Sequence, residues 1–212
     1  MIPQRSRIRF SKQAALRFIG HRDLARSMER LFRRAGLRLQ MSQGFHPKPR
    51  LSFPSALALG IEGHREIVEL ELAEPLGPDE LVRRLNACTI AGLRFQSAEI
   101  LPAGAAKAQL RTATYEVLVP QKRREAAVEA IRRLMAQPSC LVQRPDGRPA
   151  VDVRASLEAL ELAGETLRFR LLVKPQRSAG PRDVLAALGL GDLEQQGCVL
   201  VRTDLELNPQ AR

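Results

Sequence analysis

The chain has 212 residues, 44% hydrophobic and 27% charged, with a formal charge of +11, which excludes a disordered polyelectrolyte and leaves ample material for one large or two small cores. No apolar run approaches the roughly 18 residues of a membrane-spanning helix, and the opening MIPQRSRIRF lacks the apolar centre of a signal peptide, so a cytoplasmic protein with no membrane partner is expected. Cys88, Cys140 and Cys198 are odd in number and too widely spaced for a metal knuckle; reduced core thiols are expected.

The excess charge is local. Residues 1–50 carry 13 Lys and Arg against two acids, Asp23 and Glu29, whereas the remaining 162 residues carry 21 of each sign. A cationic excess confined to one quarter of a chain points to a footprint on a polyanion, with phosphate the natural ligand.

In chain order, 5–11 alternates so that Ile8 and Phe10 face a core while Arg7 and Arg9 face solvent or ligand, which predicts a strand. After the connection KQAALRFIG, a helix is predicted from the apolar spacing of Leu24, Met28, Leu31, Phe32 and Ala35, stopped at Gly36. Its other face carries Arg22, Arg26, Arg30, Arg33 and Arg34, with Glu29 placed to pair with Arg33. Residues 37–41 read as a short strand, 42–50 as a stiff basic loop, and 66–72 as a strand with Ile67, Glu69 and Glu71 on a wet face. A helix over 79–87, with Leu81, Val82 and Leu85 inward, and a strand over 93–101 complete the order β-α-β-β-α-β.

Residues 102–110 (PAGAAKAQL) have the composition of a linker. The second half repeats the order: strand 112–119, helix 122–136 with Ala127, Ile131 and Leu134 inward, strands 140–144 and 166–173, helix 182–188 and strand 198–205. VDVRASLEALELAG adds a further strand or two. The expected class is α+β, with two tandem ferredoxin-like domains, 1–101 and 111–212, built of antiparallel sheets with helices on one face.

No H-E-x-x-H, G-x-S-x-G, G-x-x-x-x-G-K-[ST] or G-x-G-x-x-G occurs, so no metal, nucleotide or other cofactor is expected and no complete catalytic set is present. His21 lies beside Asp23 at the helix start, where Asp23 is expected to cap and His21 to pack. His46 has the stronger functional claim. Pro47 and Pro49 stiffen a loop that presents Gln43, Gly44, Phe45, His46, Lys48 and Arg50, and a histidine near arginines can act as acid or base in RNA cleavage. With seven Phe, one Tyr and no Trp, base stacking is poorly supplied, leaving Phe45 and Phe53 as the loop candidates.

From RIRFSK through HRDLARSMERLFRRA and SQGFHP to ALALG, the first 70 residues resemble the radical-SAM-linked bacterial proteins of uncharacterised function, which occur free-standing or as the carboxy-terminal part of a radical SAM enzyme. The matching positions are 7–12 in shifted form, 20–24, 29–35, 42–47 and 56–60; Gly20 and Arg22 depart from the usual Ser and Leu, and GPRDVL at 180–185 resembles a later segment. The resemblance implies a radical SAM enzyme as partner, and the tandem organisation is similar to that of repeat-associated RNA-processing proteins, some of which cleave RNA with a histidine. The chain has no C-x-x-x-C-x-x-C cluster motif, so radical chemistry would belong to the partner.

Three functions are therefore expected in order. The first is a non-catalytic accessory binding tRNA or ribosomal RNA through Arg22, Arg26, Arg30, Arg33, Arg34, Lys48 and Arg50, with Gln43, Gly44, Phe45 and His46 beside them. The second is a metal-independent endoribonuclease using His46 or His21. The third is an interaction module docking on an acidic partner.

Overall fold

The computed structural model describes residues 3–145, 147–174 and 178–209, which divide into two compact units, 3–109 with 208–209, and 110–207. The protein is mixed α/β: the described residues form four α-helices and mostly antiparallel strands.

The first unit runs β1 (Gln4–Lys12), a 3-10 turn (Ala14–Phe18), α1 (His21–Arg34), β2 (Leu51–Ser52), β3 (Glu62–Leu72), α2 (Pro78–Asn86) and β4 (Leu93–Ile100). β1 lies between β3 and β4, antiparallel to both, with Ile8 opposite Val68 on one side and Ala98 on the other. β2 joins β3, Leu51 opposite Leu70. One apolar cluster contains Ile8 and Phe10 of β1, Val68, Leu70 and Leu72 of β3, Leu93 and Phe95 of β4, and the inward residues of α1 and α2, so both helices cover the same face of the sheet.

The expected core face of α1 holds: Leu24, Met28, Leu31, Phe32 and Ala35 are all buried. Each large side chain withdrawn from water contributes about 1.5–3 kcal/mol, which outweighs the poor propensity of a run so rich in like charge. Gly36, at φ +70°, ends the helix where a side chain would be strained. Its N–H bonds the Arg33 carbonyl at 3.1 Å and that of Leu37 bonds Phe32 at 3.1 Å, a Schellman closure.

Two expectations for this unit are corrected. Residues 37–41 form no continuous strand; Leu39 and Met41 make isolated bridges to Leu72 and Pro49. The wet face expected of β3 is largely dry, with Ile67 and Glu69 1% and 2% exposed. Glu69 is enclosed because β1 places Arg7 opposite it and Arg5 two residues along, and both guanidiniums close on its carboxylate, at 2.9 and 2.5 Å. Lys12, at the end of β1, is also buried, its Nζ donating to the Ile19 carbonyl at 2.9 Å.

The second unit runs β5 (Leu110–Leu118), α3 (Gln121–Ala136), β6 (Leu141–Val142), β7 (Val151–Asp152), β8 (Leu157–Ala163), β9 (Thr166–Leu172), α4 (Pro181–Ala187) and β10 (Val201–Leu207). β5 sits between β10 and β9, and β8 pairs with β9, all antiparallel; β6 and β7 form a separate pair. Tyr115 stacks on Phe169 across the β5–β9 pair, ring centroids 5.6 Å apart. On α3 the buried residues are Ala127, Ala130 and Leu134, while Ile131 is only partly covered, a small rotation of the expected face. Cys88, Cys140 and Cys198 are free but half-buried rather than core residues.

Candidate functional site

The helix α1 dominates the site. At about 100° per residue, Arg22, Arg26, Arg30, Arg33 and Arg34 fall within an arc of about 120°, opposite the buried stripe. All five are exposed. From Arg22 to Arg34 the axis advances about 18 Å, the distance over which one strand of a duplex presents about five phosphates.

The partners of these arginines divide the cationic excess of residues 1–50 into two kinds. Arg5 and Arg7 hold Glu69, Arg17 lies 3.6 Å from Glu62, Arg38 pairs with Glu74 at 2.6 Å, and Arg50 pairs with Glu71 at 3.0 Å. Acids from β3 and its flank thus return to neutralise these five arginines. On α1 the situation is different. Among the described residues only Arg26 meets an acid, Asp23 at 3.6 Å, with both side chains well exposed. Arg30 bonds the Ser27 hydroxyl at 3.2 Å and Arg34 the Cys88 carbonyl at 2.9 Å, contacts that orient the guanidiniums and leave their charge uncompensated. Among the described residues Arg22 and Arg33 have no partner, and Glu29 does not form the expected pair with Arg33.

At the helix start, Gly20 is the N-cap, and Asp23 makes no side-chain cap bond but turns to Arg26. His21 packs edge-on against Phe53, centroids 4.9 Å apart, and Phe53 in turn meets Phe10 at 6.3 Å. Phe53 is thereby committed to packing. His64, the third histidine, lies with Nε2 4.0 Å from the Glu62 carboxylate.

The loop 42–50 is the tip of a hairpin. The Ser42 N–H bonds the Lys48 carbonyl at 2.8 Å, the Lys48 N–H bonds the Ser42 hydroxyl at 2.9 Å, and the Arg50 N–H bonds the Gln40 carbonyl at 2.8 Å. The base of the hairpin is tied to β3, where Gln40 donates to the Glu71 carbonyl and the Glu71 N–H donates to that of Arg50. This closure projects Gln43, Gly44, Phe45, His46 and Lys48 into solvent, with the Phe45 ring fully exposed. The candidate residues therefore stand in two places: the helix face, and the hairpin tip, with Arg50 held back at its base by Glu71.

Two depressions join expected residues to others that the sequence did not single out. A groove of about 250 Å³ runs beside α1, lined by Ser27, Arg30, Leu31, Arg34, Ile90 and Leu93. Its signal in the sequence was slight: an isoleucine in the turn CTIAGL, where an apolar side chain has no strand or helix to bury it. A cleft of about 270 Å³ lies over the ion-paired end of β3, lined by Arg5, Arg50, Glu69, Glu71 and Lys107 among others.

Fold and site together define a mixed α/β protein of mostly antiparallel sheet, with five exposed arginines on one face of one helix. The chain belongs to a family of uncharacterised proteins conserved in bacteria, DUF2344, whose model matches residues 5–181. No curated protein matches it. Among solved structures it aligns with the crystal structure of an unknown protein from Galdieria sulphuraria, at 12% identity over 98% of this chain and 100% of that one, with a TM-score of 0.27, too low to infer a shared fold.

Proposed function

We propose that this protein is an RNA-binding accessory that presents a tRNA or ribosomal RNA to a modifying or processing enzyme, without a catalytic set of its own. The observation that carries the reading is the arginine face of α1. Five exposed guanidiniums are gathered over about 18 Å, and of the acids on that helix, Asp23 and Glu29, Asp23 alone pairs with one of them among the described residues, whereas Arg5, Arg7, Arg38 and Arg50 of the same segment are matched by carboxylates. A helix face kept for solubility mixes signs; this one is arranged for a polyanion.

The tandem ferredoxin-like reading belongs to the same proposal. With the separate β6–β7 pair set aside, the strands of each unit stand in the spatial order fourth, first, third, second, β4-β1-β3 with β2 beside β3, and β10-β5-β9-β8. Such a sheet leaves one face for two helices, and α1 is one of them. The radical SAM partnership rests on the motif resemblance of residues 7–60 and names the enzyme class that the accessory would serve.

The test is direct binding of structured and single-stranded RNA by fluorescence anisotropy across a salt series. Affinity is expected to fall steeply with salt as counterions released from the phosphates become harder to release. Absence of salt-sensitive binding to every RNA tried overturns the proposal. Capture of a radical SAM enzyme from nuclease-treated lysate, by the wild type and not by a folded variant, tests the partnership separately.

A further inference from the structure

We infer that the groove between α1 and the 86–94 turn receives one unpaired nucleobase, with the adjoining phosphate held by Arg30 and Arg34. The inference rests on the RNA-binding reading above and names the kind of RNA.

The groove has an aliphatic floor and a cationic rim. Leu31 and Leu93 are buried beneath it, Ile90 forms a wall while 45% exposed, and Arg30, Arg34 and Ser27 stand along the helix side. Neither guanidinium is free to wander: Ser27 holds one and the Cys88 carbonyl the other. Their four-residue separation is about 6 Å along the helix axis, so both can reach the oxygens of one phosphate or of two in succession.

Phosphate binding needs no apolar surface, and a paired helix presents only its backbone and groove edges, its base faces being stacked away. An unpaired base offers a flat, weakly hydrated face beside an anionic link, which is the pairing of surfaces found here. At about 250 Å³ the groove lies just below the roughly 300 Å³ at which pockets for larger ligands begin, which suits a single nucleoside unit. A second depression shares Ile90 and Leu93 with the groove and is lined also by Asn86, Thr89 and Arg94, polar groups within reach of a neighbouring nucleotide.

The test uses three RNA hairpins of equal phosphate count: fully paired, carrying a one-nucleotide bulge, and carrying an abasic residue at the bulge. Wild-type protein is expected to bind the bulged RNA about fivefold more tightly than the abasic one, the scale of burying part of one apolar face. Ile90→Ser is expected to remove that preference and leave the salt slope unchanged, and Ile90→Val to keep both; circular dichroism verifies that each variant is folded. Equal binding of bulged and abasic RNA by the wild type, or a preference that survives Ile90→Ser in a folded protein, overturns the inference. Salt-sensitive binding without a preference counts against the groove alone, whereas loss of all RNA binding counts against the RNA-binding reading itself. If an acidic peptide with an aliphatic anchor binds in an Ile90-dependent way while the RNAs show no preference, the groove belongs to a protein partner and the inference falls.

Discussion

Removing Arg22 and Arg33 together separates footprint charge from structural charge. Both are exposed and have no partner among the described residues, so the variant Arg22→Gln/Arg33→Gln loses two units of charge and no contact. If all five α1 arginines meet phosphates of a single strand, the slope of log affinity against log salt is about −3.5, and the double variant lowers it to about −2.1. Between 50 and 200 mM salt that is a loss of about a hundredfold for the wild type and about twentyfold for the variant. Arg38→Gln is the control, because it also removes an exposed cation, but one paired with Glu74 at 2.6 Å. Its expected slope is that of the wild type, and its cost in stability is under about 1 kcal/mol. The assay is anisotropy of a labelled RNA at five or more salt concentrations. A double variant that keeps the full slope, or an Arg38→Gln that lowers it by as much per charge, refutes the assignment of the footprint to α1.

Arg7→Met is expected to destabilise the first unit by about 3 kcal/mol in urea unfolding, since it strips a partner from the buried Glu69 carboxylate; a loss below 1 kcal/mol would show that Arg5 alone suffices. Gly92→Ala should cost more than about 2 kcal/mol, because φ is +84° and the new Cβ would stand 2.5 Å from the Gln13 carbonyl oxygen, a backbone atom that cannot swing away; an unchanged melting temperature refutes this. Hydrogen bonds from Arg83 and then Arg84 lower the Glu80 carboxyl from 4.5 to about 2. A depressed carboxyl contributes stability that is fully present above its unfolded value and is lost as pH falls from about 4.5 toward 2, so Glu80→Gln should flatten the stability profile in that window and leave it unaltered in shape at neutral pH. Thermal melts between pH 2 and 6 verify this, and parallel profiles for the two proteins contradict it.

The helices were readable from sequence because each declares itself locally. The inward residues of α1 recur at helical spacing over 14 residues, and Gly77 with Pro78 marks the start of α2 as clearly. β1 and β3 were readable from alternation. What escaped was decided by pairing across distance. Glu69 belongs by pattern to an outer face and is buried because two arginines some 60 positions earlier close over it. The segment 37–41 is apolar enough for a strand, yet its neighbour on β3 is shared with the returning arm of the hairpin, so only bridges form. The arginine face itself was visible in the sequence. Its distinction from the other arginines was not, since a charge count cannot tell which acids return. Ile90 and the groove escaped for a related reason: α1 and the turn after α2 are brought together only by the sheet beneath them.

The stacking of α1 has a thermodynamic corollary. The pairs Arg22–Arg26, Arg26–Arg30, Arg30–Arg34 and Arg30–Arg33 stand at neighbour spacing, and each repels by about 0.2–0.5 kcal/mol in the free protein, with Asp23 relieving the two that share Arg26. The unliganded helix therefore stores a modest tension, about 0.4–1 kcal/mol, that either a bound polyanion or dissolved salt can discharge. Salt should consequently act with opposite signs on the two properties of this protein, tightening the fold of the free molecule while loosening its grip on its ligand.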